Sequence, residues 1–428
     1  TVTGVQTCAL PICIKNRITI MNFLQFFIWG AWLITVAVYW FQNKGWSGTE
    51  FGAIFSTMGI ASLFMPTIAG IIADRYINAE KLYGILHILG GITLLAVPAV
   101  SNPSNFFWII LLAMIFYMPT IALGNSISYS ALKNNGFDVI KDYPPIRVWG
   151  TIGFIVAMWI TNLSGNKDSA NQFYIAGSIA IVLGIYSFSL PKCPPEGKTS
   201  NQTSISEMFG LNAFRLFKNY QMALFFIFSM FLGAALQLTN AYGDIYLDDF
   251  RHIAEYKDSI VVKYSTLIMS ISQISETLFI LVIPFFLKRY GIKKVMLLSM
   301  LAWVLRFGLF AYGDPGSGLW MIILSGIIYG MAFDFFNISG SLFVEISTTS
   351  KIRSSAQGLF MMMTNGIGAI LGSVTSGIII DSFFTTVDGK NWHGIWITFA
   401  LYSLVICVAF LVLFRYKHDP NTIQKVMD

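Results

Sequence analysis

Long apolar runs, separated by short polar or charged segments, fill most of the chain. Each run is about 20 residues long, and a helix of that length crosses the ~30 Å hydrocarbon core of a bilayer. Bounding the runs by charged residues and by Pro, Gly or Asn predicts twelve membrane-spanning helices. The predicted spans cover residues 18–41, 51–73, 82–100, 106–131, 145–165, 172–190, 220–243, 262–286, 293–313, 318–343, 354–380 and 392–415. We therefore expect an all-α membrane protein.

The composition is typical of a chain whose main solvent is lipid. Hydrophobic residues make up 55 % of it and charged residues 11 %, whereas charged residues are about a quarter of a soluble domain. The net charge of +6 is scattered over short loops and forms no basic patch, so we do not expect a nucleic-acid partner. The lipid bilayer is the partner that the composition requires.

Sequence motifs indicate neither an enzyme nor a metal site. The chain has no GxSxG, P-loop, HExxH or dinucleotide-binding fingerprint. Its four cysteines have neither CxxC nor metal-ligand spacing. We expect no catalytic residues, no disulfide framework, no bound metal and no organic cofactor.

The distribution of basic residues predicts the orientation in the membrane. With the N-terminus inside, 20 of the 27 Lys and Arg residues fall in cytoplasmic segments and 6 in outer segments, which leaves Arg306 within a span. Cytoplasmic loops of membrane proteins carry such an excess of positive charge. We therefore expect both termini in the cytoplasm.

A polar, Pro-containing stretch at 191–210 separates six predicted spans from six. The triplet Asp74-Arg75-Tyr76 after the second span is matched by Lys288-Arg289-Tyr290 after the eighth, as expected of a parallel repeat. The expected organisation is an N-terminal half at 14–190, a cytoplasmic linker at 191–219, a C-terminal half at 220–415 and a cytoplasmic tail at 416–428.

Two other segments have a predicted role. Residues 1–13 resemble translated sequencing-adapter read-through, so we expect a non-native extension and a native start just before Ile14. The acidic stretch 244–259 is expected outside the membrane as a solvated loop, with a lid as the alternative.

Tyr39 and Trp40 lie near the end of the first predicted span and are assigned to an aromatic belt at the membrane interface.

Two carboxylates, Glu276 and Asp334, lie within segments that are otherwise almost wholly apolar. On insertion scales an acidic residue at the centre of a membrane helix costs roughly 2.5 to 3.5 kcal/mol, so such a group usually faces water, a partner charge or a ligand. A structural ion pair is the alternative. The two carboxylates favour a transporter.

Further polar groups recur at helical spacing around these carboxylates. Arg147, Thr151 and Phe154 follow an i, i+4, i+7 pattern and share one face of the fifth span. The other candidates share faces in pairs on spans seven, eight and ten, and are Gln237 with Asn240, Gln273 with Glu276, and Asp334 with Asn337, beside Phe333. Each pair could instead form hydrogen bonds between helices that stabilise their packing, each worth around 0.6 kcal/mol.

Three cationic or titratable side chains within spans have competing interpretations. Arg147 is interpreted as a counter-ion for Glu276, with a snorkelling arginine as the alternative. Arg306 lies near the outer end of the ninth span and is interpreted as a structural or snorkelling charge. His87 is expected to be a packing histidine with its hydrogen bonds satisfied.

Several contiguous stretches resemble known transporters. Gly70, Asp74 and Arg75 resemble the motif between spans two and three of the major facilitator superfamily, where it has a conformational, latch-like role. FLQFFIWGAWL, DYPPIRVWGTIGFI, IMSISQISETLFILVIPFFL, FDFFNISGSLFVE and SSAQGLFMMMTNG resemble the bacterial nucleoside–proton symporters, the NupG-like permeases. The resemblance covers essentially everything after residue 13.

This resemblance implies proton-coupled import of nucleosides across the bacterial inner membrane by a protein of the major facilitator fold, which we expect to be a monomer. It associates nine of the ten candidates above, Asn337 excepted, with the nucleoside site. Glu276 and Asp334 are the candidates for proton coupling; we favour Asp334 because it lies between two phenylalanines, whereas a cationic neighbour would keep Glu276 ionised. A symporter or facilitator for another polar metabolite, such as a sugar, and a non-transporting membrane sensor are the alternatives.

Overall fold

The computed structural model describes residues 10–195, 211–349, 352–387 and 389–416. Within these ranges nine helices are long and apolar enough to cross a membrane, and a tenth apolar helix, Asn171–Ser187, is shorter. One of the nine covers Ser265–Tyr312, which includes two predicted spans. The all-α membrane class is therefore confirmed, whereas the count of twelve spans and the position of the termini stay predictions.

Helices occupy almost all of the predicted apolar runs, with a few breaks. The helices before the predicted linker are α1 (Leu10–Gly30), α2 (Val36–Val38), α3 (Gly48–Arg75), α4 (Ala79–Ala96), α5 (Pro103–Asn134), α6 (Val139–Leu163) and α7 (Asn171–Ser187). Those after it are α8 (Tyr220–Asp249), α9 (Ile260–Lys263), α10 (Ser265–Met269), α11 (Ile271–Tyr312), α12 (Leu319–Ser347), α13 (Arg353–Met361), α14 (Ala369–Ile379) and α15 (Trp392–Leu413). A short antiparallel hairpin precedes α15. Its two strands, β1 (Thr385–Thr386) and β2 (Gly389–Lys390), have two residues each.

Four backbone features interrupt the regular helices. Gly291, at φ +77°, divides α11 between two predicted spans, and only glycine adopts this conformation readily. Wider π-helical turns are present at Tyr39–Lys44, Met362–Gly368 and Ile380–Phe384. Such turns are rare and occur frequently at functional sites.

Close packing divides the described residues into two units. The first unit takes its residues from 1–44 and 60–202, and the second from 45–59 and 203–428. The predicted halves at 14–190 and 220–415 differ from these units at 45–59 and stay a prediction. Of the predicted linker and tail, residues 196–210 and 417–428 lie outside the described residues, as do 1–9 of the predicted extension.

In the first unit, α1 and α6 touch along their backbones. A Cβ added to Gly153 would lie 2.1 Å from the Phe23 carbonyl oxygen, and one added to Gly30 would lie 2.3 Å from the Phe154 carbonyl oxygen. Glycine removes the side chain that would hold the two helices apart. This contact fixes the helix that carries Arg147, Thr151 and Phe154.

Tyr39 and Trp40 do not form a membrane-interface belt, so that prediction is wrong. Tyr39 is 1 % exposed and Trp40 is fully buried. Their rings pack edge-on against Phe173 at 5.4 Å and Phe106 at 5.3 Å, respectively. Aromatic pairs of this kind contribute about 0.5–1.5 kcal/mol each, which favours burial of both rings in the first unit.

The first part of the predicted acidic loop is helical in the second unit, because α8 continues to Asp249. Asp244 and Asp248 are almost completely buried. Thr266 donates a hydrogen bond to Asp244 at 3.1 Å, and Arg251 forms an ion pair with Asp248. The prediction of a solvated loop is therefore wrong for this segment, since each buried carboxylate has a polar partner.

Candidate functional site

The candidate site in the second unit is built from α8, α11, α12 and the π-helical turn Met362–Gly368. Three of the predicted residues each have a buried oxygen with no hydrogen-bond partner among the described residues: Gln237 Oε1, Gln273 Oε1 and Asp334 Oδ2. A buried polar group without a partner is unfavourable by about 1–3 kcal/mol. These three acceptors are therefore available to a polar ligand, and their role in binding stays a prediction.

A cavity in this unit brings predicted and unpredicted residues together. Phe333 and Asn337, both half-buried, are the predicted residues that line it. The remaining lining residues are Leu232, Gly233, Leu236, Trp303, Ala332, Phe336, Thr364 and Asn365. The walls are mainly apolar with a few amide and hydroxyl groups, as is usual for small-molecule sites.

Aromatic rings support one wall of the cavity. The rings of Tyr329 and Phe333 stack with centroids 5.9 Å apart and an angle of 6° between their planes. Trp303 packs edge-on against Tyr329 at 5.9 Å. This stacking holds Phe333 in place beside the cavity.

The two intramembrane carboxylates interact with each other. Asp334 is 4 % exposed, Glu276 is half-buried, and their negative charges repel each other. A proton bound to either carboxylate removes this repulsion. The arrangement is suited to taking up and releasing a proton.

Asn240 and Gln273 are predicted residues of the second unit that do not line the cavity. Asn240 is half-buried, one helical turn beyond Gln237 on α8. Gln273 is half-buried on α11, one turn before Glu276. Their positions are compatible with the predicted shared faces, and their roles stay predictions.

In the first unit, Arg147 lies over the ring of Phe26, with its guanidinium carbon 4.0 Å from the centroid. Thr151 and Phe154 are half-buried further along α6. Pairing of Arg147 with Glu276 would join the two units and stays a prediction. The cation–π contact provides Arg147 with a partner of its own.

The predicted latch is at the end of α3. Asp74 and Arg75 end this helix, and both interact with other residues. A Cβ added to Gly70 would meet no described atom within 4 Å, so this glycine does not mediate a close helix contact in the structure. The latch-like role of the three residues stays a prediction.

Two other polar side chains agree with their predicted environments in part. Arg306 is 0 % exposed, which contradicts the snorkelling alternative and is compatible with the interpretation as a structural charge. His87 Nε2 lies 2.7 Å from Gln25 Oε1, but its Nδ1 has no hydrogen-bond partner among the described residues. The expectation of a fully satisfied histidine is therefore only half met.

Comparison with known families identifies the class of transporter. The family model for the nucleoside H+ symporters matches residues 12–419. The chain belongs to this family. The match covers every candidate residue, and it confirms the predicted family and a proton-coupled nucleoside transporter as the class of function, not an enzyme.

Individual relatives of this symporter cover almost its whole length. It is 49 % identical to the nucleoside permease NupG of Escherichia coli K12, over 95 % of this chain and 97 % of that protein. It is 50 % identical to the xanthosine permease of the same organism, over 96 % and 98 %. The crystal structure of the nucleoside transporter NupG matches with a TM-score of 0.89 over 94 % of this chain and all of that one. These matches also confirm a bacterial inner-membrane transporter.

Sequence reasoning missed Trp303, Tyr329, Thr364 and Asn365. Tyr329 precedes Phe333 by four residues and Asn337 by eight, so helical spacing places it on the same face as these two predicted residues. Asn365 is an amide within an apolar run, which is the signal that drew attention to Glu276. Trp303 carries no such signal, because a buried aromatic residue is common in any core.

Proposed function

We propose that this protein imports nucleosides across the cytoplasmic membrane together with protons, by alternating access of a central site. The single observation that carries the proposal is the set of unpartnered buried oxygens on Gln237, Gln273 and Asp334, in a member of the nucleoside H+ symporter family. A nucleoside offers N–H and O–H donors to such acceptors. Its base offers a flat ring to Phe333.

The proposed nucleoside-binding set contains the ten residues that the sequence predicted. Its members are Arg147, Thr151, Phe154, Gln237, Asn240, Gln273, Glu276, Phe333, Asp334 and Asn337. Asp334 is the proposed proton carrier, because it is more deeply buried than Glu276 and no described residue donates a hydrogen bond to its Oδ2. Gly70, Asp74 and Arg75 are proposed to stabilise one conformation of the cycle.

The proposed topology has twelve spans in two halves of six, both termini in the cytoplasm, and a monomer as the transporting unit. The excess of basic residues on one side supports the orientation. The break at Gly291 supports counting α11 as two spans, because it lies between runs that are each long enough to cross the bilayer.

Proteoliposomes containing the purified protein test the proposal. We expect a proton gradient to drive accumulation of labelled uridine and a proton ionophore to abolish that accumulation. Uptake that the ionophore leaves unchanged would show a facilitator. Asp334→Asn is expected to exchange uridine across the membrane without accumulating it, because the amide resembles the protonated acid but cannot release a proton.

Competition experiments separate the alternative substrates. Excess nucleoside is expected to block uridine uptake, whereas excess free sugar is not. Inhibition by sugars alone would support the sugar-symporter alternative, and the absence of any flux would support a sensor. Xanthosine belongs in the same panel, since the similarities to the nucleoside permease and the xanthosine permease are nearly equal.

A further inference from the structure

Phe26, on α1, has no role in the transport proposal, but its ring contacts one of the proposed nucleoside-binding residues. The guanidinium carbon of Arg147, on α6, lies 4.0 Å from the centroid of the Phe26 ring. Both side chains are half-buried within the first unit. An arginine this close to an aromatic face is attracted by the ring quadrupole. Phe26 therefore restricts where the guanidinium can lie.

A glycine makes room for this contact. Gly150 follows Arg147 by three residues on α6, and a Cβ added to it would lie 2.6 Å from Cδ2 of Phe26 and 2.7 Å from Nη1 of Arg147. Both distances are well below the roughly 3.5–4.0 Å at which such atoms pack favourably. The ring and the guanidinium thus occupy the space that a side chain at position 150 would fill.

The residue before Phe26 fixes the helix that carries it. Gln25 is 3 % exposed, and its Oε1 accepts a hydrogen bond from the Tyr83 hydroxyl of α4 at 2.6 Å, while its Nε2 donates to Thr120 Oγ1 of α5 at 2.9 Å. These bonds restrict rotation of α1 about its axis. Because the next residue of a helix is turned by about 100°, they also fix the direction in which Phe26 points.

The contact with Phe26 leaves Arg147 able to bind acceptor oxygens. Among the described residues of the first unit, none accepts a hydrogen bond from the guanidinium. A guanidinium has five N–H donors in a rigid plane, and two of them can donate in parallel to a pair of oxygens. A nucleoside presents acceptor oxygens on its ribose and on its base, so it suits such a donor.

Given the nucleoside import proposed above, we propose that Phe26 is a positioning residue for nucleoside binding. Its ring holds the Arg147 guanidinium in place before the ligand arrives. Immobilising a long, flexible side chain during binding lowers affinity, and a contact that is already present in the free protein removes that cost. Phe26 thus raises the affinity for nucleosides through Arg147 and not through a contact of its own with the ligand.

Calorimetric titration of the purified protein with uridine tests this role. In Phe26→Leu the Kd is expected to rise about two- to thirteen-fold, which corresponds to the ~0.5–1.5 kcal/mol for ordering one flexible side chain. Phe26→Tyr keeps an aromatic face and is expected to retain a Kd close to that of the wild type. Phe23→Leu is the matched control on α1 and is expected to leave Kd unchanged, because the half-buried Phe23 ring packs against Phe27 with centroids 6.0 Å apart.

A double-mutant cycle distinguishes positioning from direct contact with the ligand. In a protein that already carries Arg147→Gln, Phe26→Leu is expected to leave Kd nearly unchanged, because the side chain that it positions is gone. Equal fold-changes in the two backgrounds would overturn the proposal. An unchanged Kd in Phe26→Leu, or an equal rise in Phe23→Leu, would overturn it as well.

A phenylalanine fluorinated on its ring, incorporated at position 26, decides if Phe26→Leu does not fold or if Arg147→Gln binds too weakly to titrate. Fluorination keeps the shape of the ring but removes the negative potential of its face, which attracts the cation. A raised Kd supports the role of Phe26, and an unchanged Kd overturns it. A wild-type protein that binds no uridine would instead defeat the proposed function.

Discussion

Phe333 and Phe335 are two residues apart on α12 and have opposite surroundings. Phe333 lines the cavity, whereas Phe335 is 0 % exposed and packs on Phe279 and Phe286 with centroid distances of 5.9 and 4.9 Å. A two-residue step along a helix turns a side chain through about 200°, which accounts for the contrast. Substitutions at Phe333 and Phe335 can therefore distinguish an effect on ligand binding from an effect on helix packing.

Phe333→Leu is expected to weaken uridine binding, because leucine fills similar space but has no flat face for the base. Loss of an aromatic stacking contact is worth about 0.5–1.5 kcal/mol, or roughly two- to thirteen-fold in Kd. Calorimetric titration of the purified protein with uridine gives the measurement. Phe335→Leu is the control and is expected to lower thermal stability with Kd unchanged. Equal Kd values for the wild type and Phe333→Leu would exclude Phe333 from the site.

Helical spacing predicted the candidate residues on α12 but did not predict what each contacts. Asp334 and Asn337 were found because polar groups are rare in apolar runs. The burial of Arg306 was not predicted, since hydropathy does not tell which face of a helix meets another helix and which meets lipid. Asn365 was missed for a further reason: it lies in a π-helical turn, where the 3.6-residue period on which face assignments depend does not hold.

In the second unit, the first part of α3 and α14 approach each other through small residues. A Cβ added to Gly52 would lie 2.3 Å from the Ser373 carbonyl oxygen, and one added to Gly377 would lie 2.4 Å from the Gly48 carbonyl oxygen. The Asp381 carboxylate accepts a hydrogen bond from the Gly48 N–H at 2.9 Å and caps the start of α3. These contacts include residues 45–59 in the second unit.

Gly52→Ala is expected to destabilise this contact by about 1–3 kcal/mol, because the new methyl group would overlap a backbone oxygen and one helix would have to move. Thermal unfolding in detergent is the measurement. Gly308→Ala is the matched control, since its Cβ would meet no described atom within 4 Å and alanine favours the helix. Equal melting temperatures for the two variants would show that α3 and α14 are not in close contact.

The apolar runs predicted where the long helices lie to within a few residues, but not their breaks. Residues 31–35 leave the helix between α1 and α2, and α8 continues six residues past its predicted end. Tertiary contacts accompany both differences: Tyr39, which follows the break, packs against other aromatic rings, and Asp244 is buried with a hydroxyl partner. Hydropathy measures the transfer of a segment into lipid, so it does not record such contacts.

Basic residues are concentrated in the loops that are predicted to be cytoplasmic, and this bias predicts which side of the membrane each loop occupies. Asn134 ends α5 between the fourth and fifth predicted spans, near several basic residues. Val387 is fully exposed in the hairpin before α15. One predicted span follows Val387, so its side of the membrane also determines where the C-terminus lies.

Single cysteines at these two positions test the topology in intact cells. In a background with Cys8, Cys13, Cys193 and Cys407 replaced by serine, Val387→Cys is expected to react with a membrane-impermeant maleimide, and Asn134→Cys only after lysis. The expectation follows from the excess of Lys and Arg in cytoplasmic loops. Labelling of both after lysis shows that both thiols are reactive. Labelling of Asn134→Cys in intact cells would show that the orientation is opposite to the predicted one. The proton gradient would then act on Asp334 in the opposite direction.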